Sequence, residues 1–203
     1  MFIAFEGGEG AGKSTQEALL AAWLIERGHR VVRTREPGGT PAAEAIRNVV
    51  LSPEFTGLDA RAEALLFAAA RGEHAAQVIR PALERGDIVL CDRYLDSSVA
   101  YQGIGRDLGA DAVRELSLWA TDGLLPDLTI LLDIDPQIGL ARVSYPDRLE
   151  AEPLSYHQRV RDGFLAIAAQ HADRYLIVDA SGEQDAIALR IVERVKTLLN
   201  TSS

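Results

Sequence analysis

Short apolar runs alternate with amphipathic stretches along the whole chain. Residues 2–5, 87–92, 128–133 and 175–178 are mostly apolar, 31–34 opens with two valines, and all are too short for helices. That pattern predicts the strands of a sheet, with 87–92 a buried one. Between them, helical periodicity predicts helices over 13–28, 41–51, 59–85, 110–121, 136–143, 154–172 and 183–200. In the first, Leu19, Leu20, Trp23 and Leu24 share one face, and Gly28 is a natural stop. Pro41 suits a first helical turn, whereas Pro81 should kink or restart the long 59–85 stretch. Residues 52–58 read as a short connection, 93–109 as polar and loop-like with some helix, and 144–153 as a polar excursion. Five strands alternating with helices predict an α/β protein: a doubly wound five-stranded parallel sheet with helices on both faces. No repeat, linker or low-complexity tract interrupts residues 1–203, which read as a single domain.

Composition narrows the field. The chain has 203 residues, 47% hydrophobic and 25% charged, as ordinary globular proteins do. Its formal charge of −9 argues against a phosphate-backbone binder, which needs clustered Lys and Arg, so no nucleic-acid partner is expected. Small phosphorylated ligands remain compatible, because a few local arginines override a global field. A lone cysteine, Cys91, excludes an intrachain disulfide framework and suits a reducing cytoplasm. It sits within an apolar run and reads as a core thiol. Met1 runs straight into the first strand without a charged leader, and no apolar stretch is long enough for a bilayer. A cytoplasmic protein without a membrane partner is therefore expected, and the Asn200-Thr201-Ser202 glycosylation pattern is read as chance. The four histidines show no zinc-ligand spacing.

The first strand leads into Gly7-Gly8-Glu9-Gly10-Ala11-Gly12-Lys13-Ser14, the G-x-x-x-x-G-K-S phosphate-loop pattern, directly before a predicted helix. Glycines at 7, 8, 10 and 12 let backbone N–H groups approach a polyphosphate at the helix N-terminus. Lys13 can reach the β- and γ-phosphates and the Ser14 hydroxyl can ligate Mg²⁺. Asp92, ending a later apolar strand, is the candidate metal carboxylate; Asp133 ends another and competes. Asp92 is preferred because Arg93 follows it. Phosphoryl transfer needs positive charge, and Arg35, Arg47, Arg71, Arg93, Arg142 and Arg148 stand at predicted ligand-side positions. Phe67 lies four residues before Arg71, so a ring that stacks on a base could sit beside a guanidinium that bonds its edge. Asp179-Ala180-Ser181-Gly182 has a D-x-x-G form, but it comes late and no N-K-x-D motif accompanies it, which argues against a signalling GTPase.

Four segments together resemble the bacterial thymidylate kinase family, a P-loop kinase fold. They are Phe5 to Thr15, Thr34-Arg35-Glu36-Pro37-Gly38-Gly39-Thr40, Leu66-Phe67-Ala68-Ala69-Ala70-Arg71, and Asp92-Arg93-Tyr94 running on to Gly103. Pro126 to Asp133 and Asp147-Arg148-Leu149-Glu150 extend the likeness over nearly the whole chain. The resemblance implies ATP-dependent phosphorylation of dTMP to dTDP, with Mg²⁺ and a homodimer packed through helices; the Ala-rich 62–70 stretch could form such a face. It implies an ATP site at Gly7, Gly8, Glu9, Gly10, Ala11, Gly12, Lys13, Ser14 and Thr15, with Arg142 over the adenine and the 179–181 loop beside it. It implies Phe67 stacked on thymine, Arg71 on the base edge, Ser98 facing the pyrimidine, and Tyr101 crowding the sugar 2′ carbon with Gln102 beside it. Glu9 would face the deoxyribose and metal, and Arg47 and Arg93 would hold the monophosphate. Glu36, Pro37 and Gly38 would line the same pocket.

One segment departs from the family pattern. The phosphate loop has Gly10 and Ala11 rather than a basic residue before Gly12-Lys13, and such members carry arginines in a mobile lid. The lid expected at about 142–153 is short and has only Arg142 and Arg148 as basic residues. Arg148 is accordingly the expected lid cation, acting with Lys13 and Arg93 as the catalytic set. Another P-loop nucleoside or deoxynucleoside monophosphate kinase, and a nucleotide-binding regulatory protein without turnover, are the competing readings.

Overall fold

The computed structural model describes residues 1–201; of the Asn200-Thr201-Ser202 pattern, Ser202 lies outside them. Five strands form one parallel sheet in the order β2-β3-β1-β4-β5: β1 Phe2–Glu6, β2 Val31–Arg35, β3 Ile88–Asp92, β4 Leu128–Asp133 and β5 Tyr175–Asp179. The helices are α1 Lys13–Ile25, α2 Pro41–Leu51, α3 Ala60–His74, α4 Arg80–Glu84, α5 Leu95–Ser98, α6 Ala110–Ala120, α7 Pro136–Leu140, α8 Leu154–Gln170 and α9 Gln184–Thr201.

The pleat divides the core in two. Ile3 and Phe5 point to the face covered by α1 and α9, against Leu20, Leu24, Ile191 and Val195. Phe2 and Ala4 point to the other, against Phe67, Tyr101, Tyr156 and Phe164 from α3, the segment after α5, and α8. Burial of both faces is why the central strands read as continuous apolar runs. Among the described residues no helix is long and apolar enough to cross a membrane.

Two elements differ from expectation. The 59–85 stretch is helical throughout but widens into a π turn at Ala75–Ile79, where the Arg80 N–H bonds the Ala75 carbonyl five residues back. Pro81 supplies the reason: it has no N–H to donate and its ring crowds the preceding turn, so the helix loosens rather than breaks. The stretch after Arg93 is not loop-like. It forms α5 and a π-helical continuation, Val99–Gly105, that is almost wholly buried. Gly105 permits this, since a Cβ there would stand 2.6 Å from the Tyr156 ring. Its polar residues misled the pattern because they face a cavity rather than solvent.

Candidate active site

Both halves of the site sit at the carboxyl edge of the sheet, where β1 and β3 lie side by side with Phe5 opposite Asp92. The loop between β1 and α1 folds as a phosphate cradle. Gly7 and Gly10 are obligatory: φ is +135° and +63°, and a Cβ would meet the Leu132 and Gly139 carbonyl oxygens at 2.3 and 2.1 Å. Lys13 is buried and its Nζ donates to the Gly7 and Gly8 carbonyls at 3.0 and 2.8 Å. Burial, then Arg93, pushes its pKa down. The Ser14 hydroxyl donates to Asp92 Oδ2 at 2.7 Å. Asp133 is engaged elsewhere, gripped by the Arg161 guanidinium at 2.7 and 2.9 Å. The two strand-end carboxylates, which the sequence separated only by the arginine after Asp92, are set apart by their partners. On the donor side, exposed Arg142 lies against the loop, donating to the Gly10 carbonyl at 2.9 Å.

Opposite the cradle is a cavity lined by Glu9, Glu36, Pro37, Arg47, Phe67, Arg71, Arg93, Ser98, Tyr101 and Gln102. Four separate stretches of chain bring these residues together. The Glu36–Pro37 peptide is cis, and Arg47 donates to the Pro37 carbonyl at 2.9 Å. Arg71 is buried and locked: Nε to Glu36 at 2.7 Å, and its terminal nitrogens to Ser117 Oγ and the Tyr94 carbonyl, each at 3.1 Å. Glu36 also meets His74 Nδ1 at 3.0 Å. The Ser98 hydroxyl is buried at the cavity without a hydrogen-bond partner in the protein. A polar atom so placed is a natural contact for a ligand.

Arg93 stands between the two halves. Its guanidinium donates to both Glu9 oxygens at 2.9 Å and to the Gly7 carbonyl at 3.1 Å, and lies 5.2 Å from the Tyr101 ring centroid. Tyr101 donates its hydroxyl to Glu9 at 2.5 Å. Burial alone would raise the Glu9 pKa, but Arg93, Lys13 and Tyr101 hold it down at about 2. Because this lies below the ordinary 4.5, the stabilising contribution of Glu9 is complete above about pH 4.5 and is lost as pH falls towards 2. Glu9→Gln should therefore flatten the acid limb of stability in that window. Thermal melts at stepped pH measure it, and an unchanged slope would count against the coupling.

The placement of Arg148 corrects its expected role. It is not a free cation above the donor phosphates. Its guanidinium is buried, paired with Glu63 on α3 at 2.7 Å, and donates twice to the Val50 carbonyl at 2.9 and 2.7 Å. Arg148→Met should cost the low end of ~3–5 kcal/mol, because Gln102 and Arg106 still bond Glu63. A large loss of kcat with unchanged melting temperature would overturn this structural reading. Ser97, Asp147 and Glu150, for which the sequence pattern indicated no role, also line the cavity. The Asp147-Arg148-Leu149-Glu150 segment was the available signal for the last two.

A phosphate loop on one side of a crevice and an arginine-lined, partly aromatic cavity on the other define a nucleotide kinase with separate donor and acceptor subsites. Comparison with known proteins gives the particular family. The thymidylate kinase family profile matches residues 5–191. The chain is 59% identical over 196 residues to the thymidylate kinase of Leifsonia xyli subsp. xyli, covering 94% of this chain and 92% of that one. It is 54% identical over 204 residues to that of Clavibacter sepedonicus, covering 98% and 96%. The crystal structure of thymidylate kinase from Ehrlichia chaffeensis superposes with a TM-score of 0.81 at 35% identity, covering 96% of this chain and 98% of that one. This chain belongs to the thymidylate kinase family.

Proposed function

We propose that the protein is a dTMP kinase, transferring the γ-phosphoryl group of ATP to dTMP to give dTDP and ADP in nucleotide biosynthesis. The observation that carries this reading is the convergence of Phe67, Arg71, Ser98, Tyr101 and Arg93 on one cavity facing the phosphate loop. Phe67 offers a ring for the base, Arg71 a fixed guanidinium for its edge, and Tyr101 a wall against a 2′ hydroxyl. Gln102 completes that wall from the Glu63 side. Arg47 and Arg93 bind the monophosphate. On the donor side the backbone from Gly7 to Thr15 wraps the ATP phosphates, Lys13 leaves its carbonyl partners for them, and Arg142 covers the adenine.

A hydroxyl and a carboxylate 2.7 Å apart, Ser14 and Asp92, suit Mg²⁺, which keeps several waters and takes its other ligands from substrate phosphates. Among the described residues no cluster of three or more His, Cys, Asp or Glu forms a self-sufficient metal cage. When bound, Mg²⁺ supplies charge neutralisation on the phosphate oxygens.

In the transfer, an oxygen of the dTMP phosphate forms a bond to the γ-phosphorus as the bond to the β–γ bridging oxygen breaks, and ADP departs. The acceptor is already an anion at neutral pH, so no strong base is needed. Lys13 and Arg93 offset the repulsion between the two anions and the charge of the transition state. The segment 142–153 acts as a short lid on a single kinase domain. A homodimer is supported by Leu65 and Trp119, apolar residues left 57% and 84% exposed on α3 and the neighbouring α6. A cytoplasmic location follows from the substrates.

Coupled ADP-release assays across nucleoside monophosphates test the reading. The expected result is a clear preference for dTMP; a preference for AMP, CMP or shikimate would overturn it. Tyr101→Ala should erode discrimination between dTMP and its ribonucleotide counterpart, and undiminished selectivity would remove Tyr101 from that role.

A further inference from the structure

Glu6, the last residue of β1, is fully buried and lines neither subsite. A buried carboxylate persists only where partners satisfy it. Its Oε1 accepts the backbone N–H groups of Tyr94 at 2.8 Å and Ser97 at 3.0 Å. Its Oε2 accepts the Ser97 hydroxyl at 2.5 Å. All three donors belong to the turn directly after Arg93.

That turn needs support. Arg93 stands at φ +69°, a left-handed conformation that is unfavourable for a side-chain-bearing residue. Its N–H bonds the Phe5 carbonyl at 2.9 Å, its carbonyl accepts the Cys91 thiol at 3.0 Å, and its guanidinium donates to Ser97 Oγ at 3.3 Å. The Ser97 hydroxyl thus donates to Glu6 while accepting from Arg93. Both ends of the Arg93 residue, backbone and guanidinium, are tied to residues 5–7, directly before the rest of the phosphate loop.

We propose that Glu6 is a positioning residue for phosphoryl transfer: through Tyr94 and Ser97 it fixes the turn and guanidinium of Arg93 between the donor and acceptor subsites. This rests on the reading of Arg93 as the cation that holds the transferring phosphates. Because β1 also carries the phosphate loop, one rigid strand sets Lys13 and Arg93 in mutual register, the precision that an in-line transfer demands.

The test compares wild type, Glu6→Gln, Ser97→Ala and the double variant by steady-state ADP release with ATP and dTMP, alongside thermal melts. Glutamine keeps the volume and an oxygen for the Tyr94 and Ser97 N–H groups. Its amide N–H₂ then faces Ser97 Oγ, so Ser97 can no longer donate to residue 6 and its oxygen must be shared between that amide and Arg93, which weakens the link to the guanidinium. The expected result is a fall in kcat of about tenfold or more, a raised KM for dTMP, and a KM for ATP within about twofold of wild type. Ser97→Ala should behave likewise. The double variant should be no worse than the poorer single one, since both act through the same guanidinium. Unchanged kcat in either single variant, or losses that multiply in the double, would overturn the proposal. If Glu6→Gln does not fold, Ser97→Ala decides: a loss of kcat and raised KM for dTMP support the proposal, and wild-type kinetics overturn it. A wild type that releases no ADP with dTMP sinks the kinase reading and this proposal together; an active wild type with insensitive variants sinks the proposal alone.

Discussion

Arg93→Ala is expected to lower kcat for dTMP phosphorylation by roughly a thousandfold, about 4 kcal/mol of transition-state stabilisation. Three features make this the largest single effect. The guanidinium lies at the boundary between the phosphate loop, through the Gly7 carbonyl, and the acceptor cavity, through Tyr101. Its charge is secure, because Glu9 and its other anionic neighbours raise its pKa well above normal against the effect of burial. One terminal nitrogen, Nη2, reaches both Glu9 oxygens, a charge-assisted contact that phosphate oxygens would take over. Arg93→Lys keeps charge but loses the fork, and should recover only part of the rate. Arg93→Gly serves as a stability control, since it removes the side chain and relieves the positive φ together. Steady-state kinetics decide the matter, and a kcat within about tenfold of wild type in Arg93→Ala would remove Arg93 from the chemistry.

Arg71→Leu should show a different signature, in which stability and acceptor binding fall together. Arg71 is 2% exposed and bonded to Glu36, Ser117 and the Tyr94 carbonyl. Its loss leaves Glu36 buried with His74 as its remaining side-chain partner. Removing one member of a buried pair costs ~3–5 kcal/mol, which at this chain length lowers the melting temperature by roughly 10 °C. In the proposed binding mode the same guanidinium contacts the base edge, so KM for dTMP should rise about tenfold to a hundredfold, the worth of a charged hydrogen bond. Thermal melts and dTMP titrations check the two parts separately. A variant that melts like wild type would mean that Glu36 and His74 satisfy each other without Arg71.

These expectations combine features the sequence announces with others it does not. The phosphate loop is legible because its chemistry is local: a strand, a glycine-rich turn and a helix start are contiguous. The three inner strands are legible for a similar reason, since burial on both faces writes itself as short apolar runs, whereas the edge strands β2 and β5 are half-exposed and read less cleanly. Helical spacing pointed to Phe67 with Arg71, and charge to Arg47 and Arg93, but Ser98, Tyr101 and Gln102 were identifiable only by family resemblance. Nothing in the spacing of Phe67, Ser98 and Glu36 says that they share a cavity.

What the chain order could not decide, non-local partners did. Asp92 and Asp133 end equivalent apolar strands; Ser14 beside one and Arg161 across the other tell them apart. Arg148 sits next to the expected lid in sequence, yet Glu63 on α3 and the Val50 carbonyl draw it into the interior. Residues 95–105 look like a polar loop until their serines, tyrosine and glutamine are seen to face a cavity inside a helical wall. The sequence by itself determined the element order, the phosphate cradle and the family. The tertiary structure alone decided which charges pair with one another and which face the cavity, because a charge acts through neighbours that the chain brings in from far along its length.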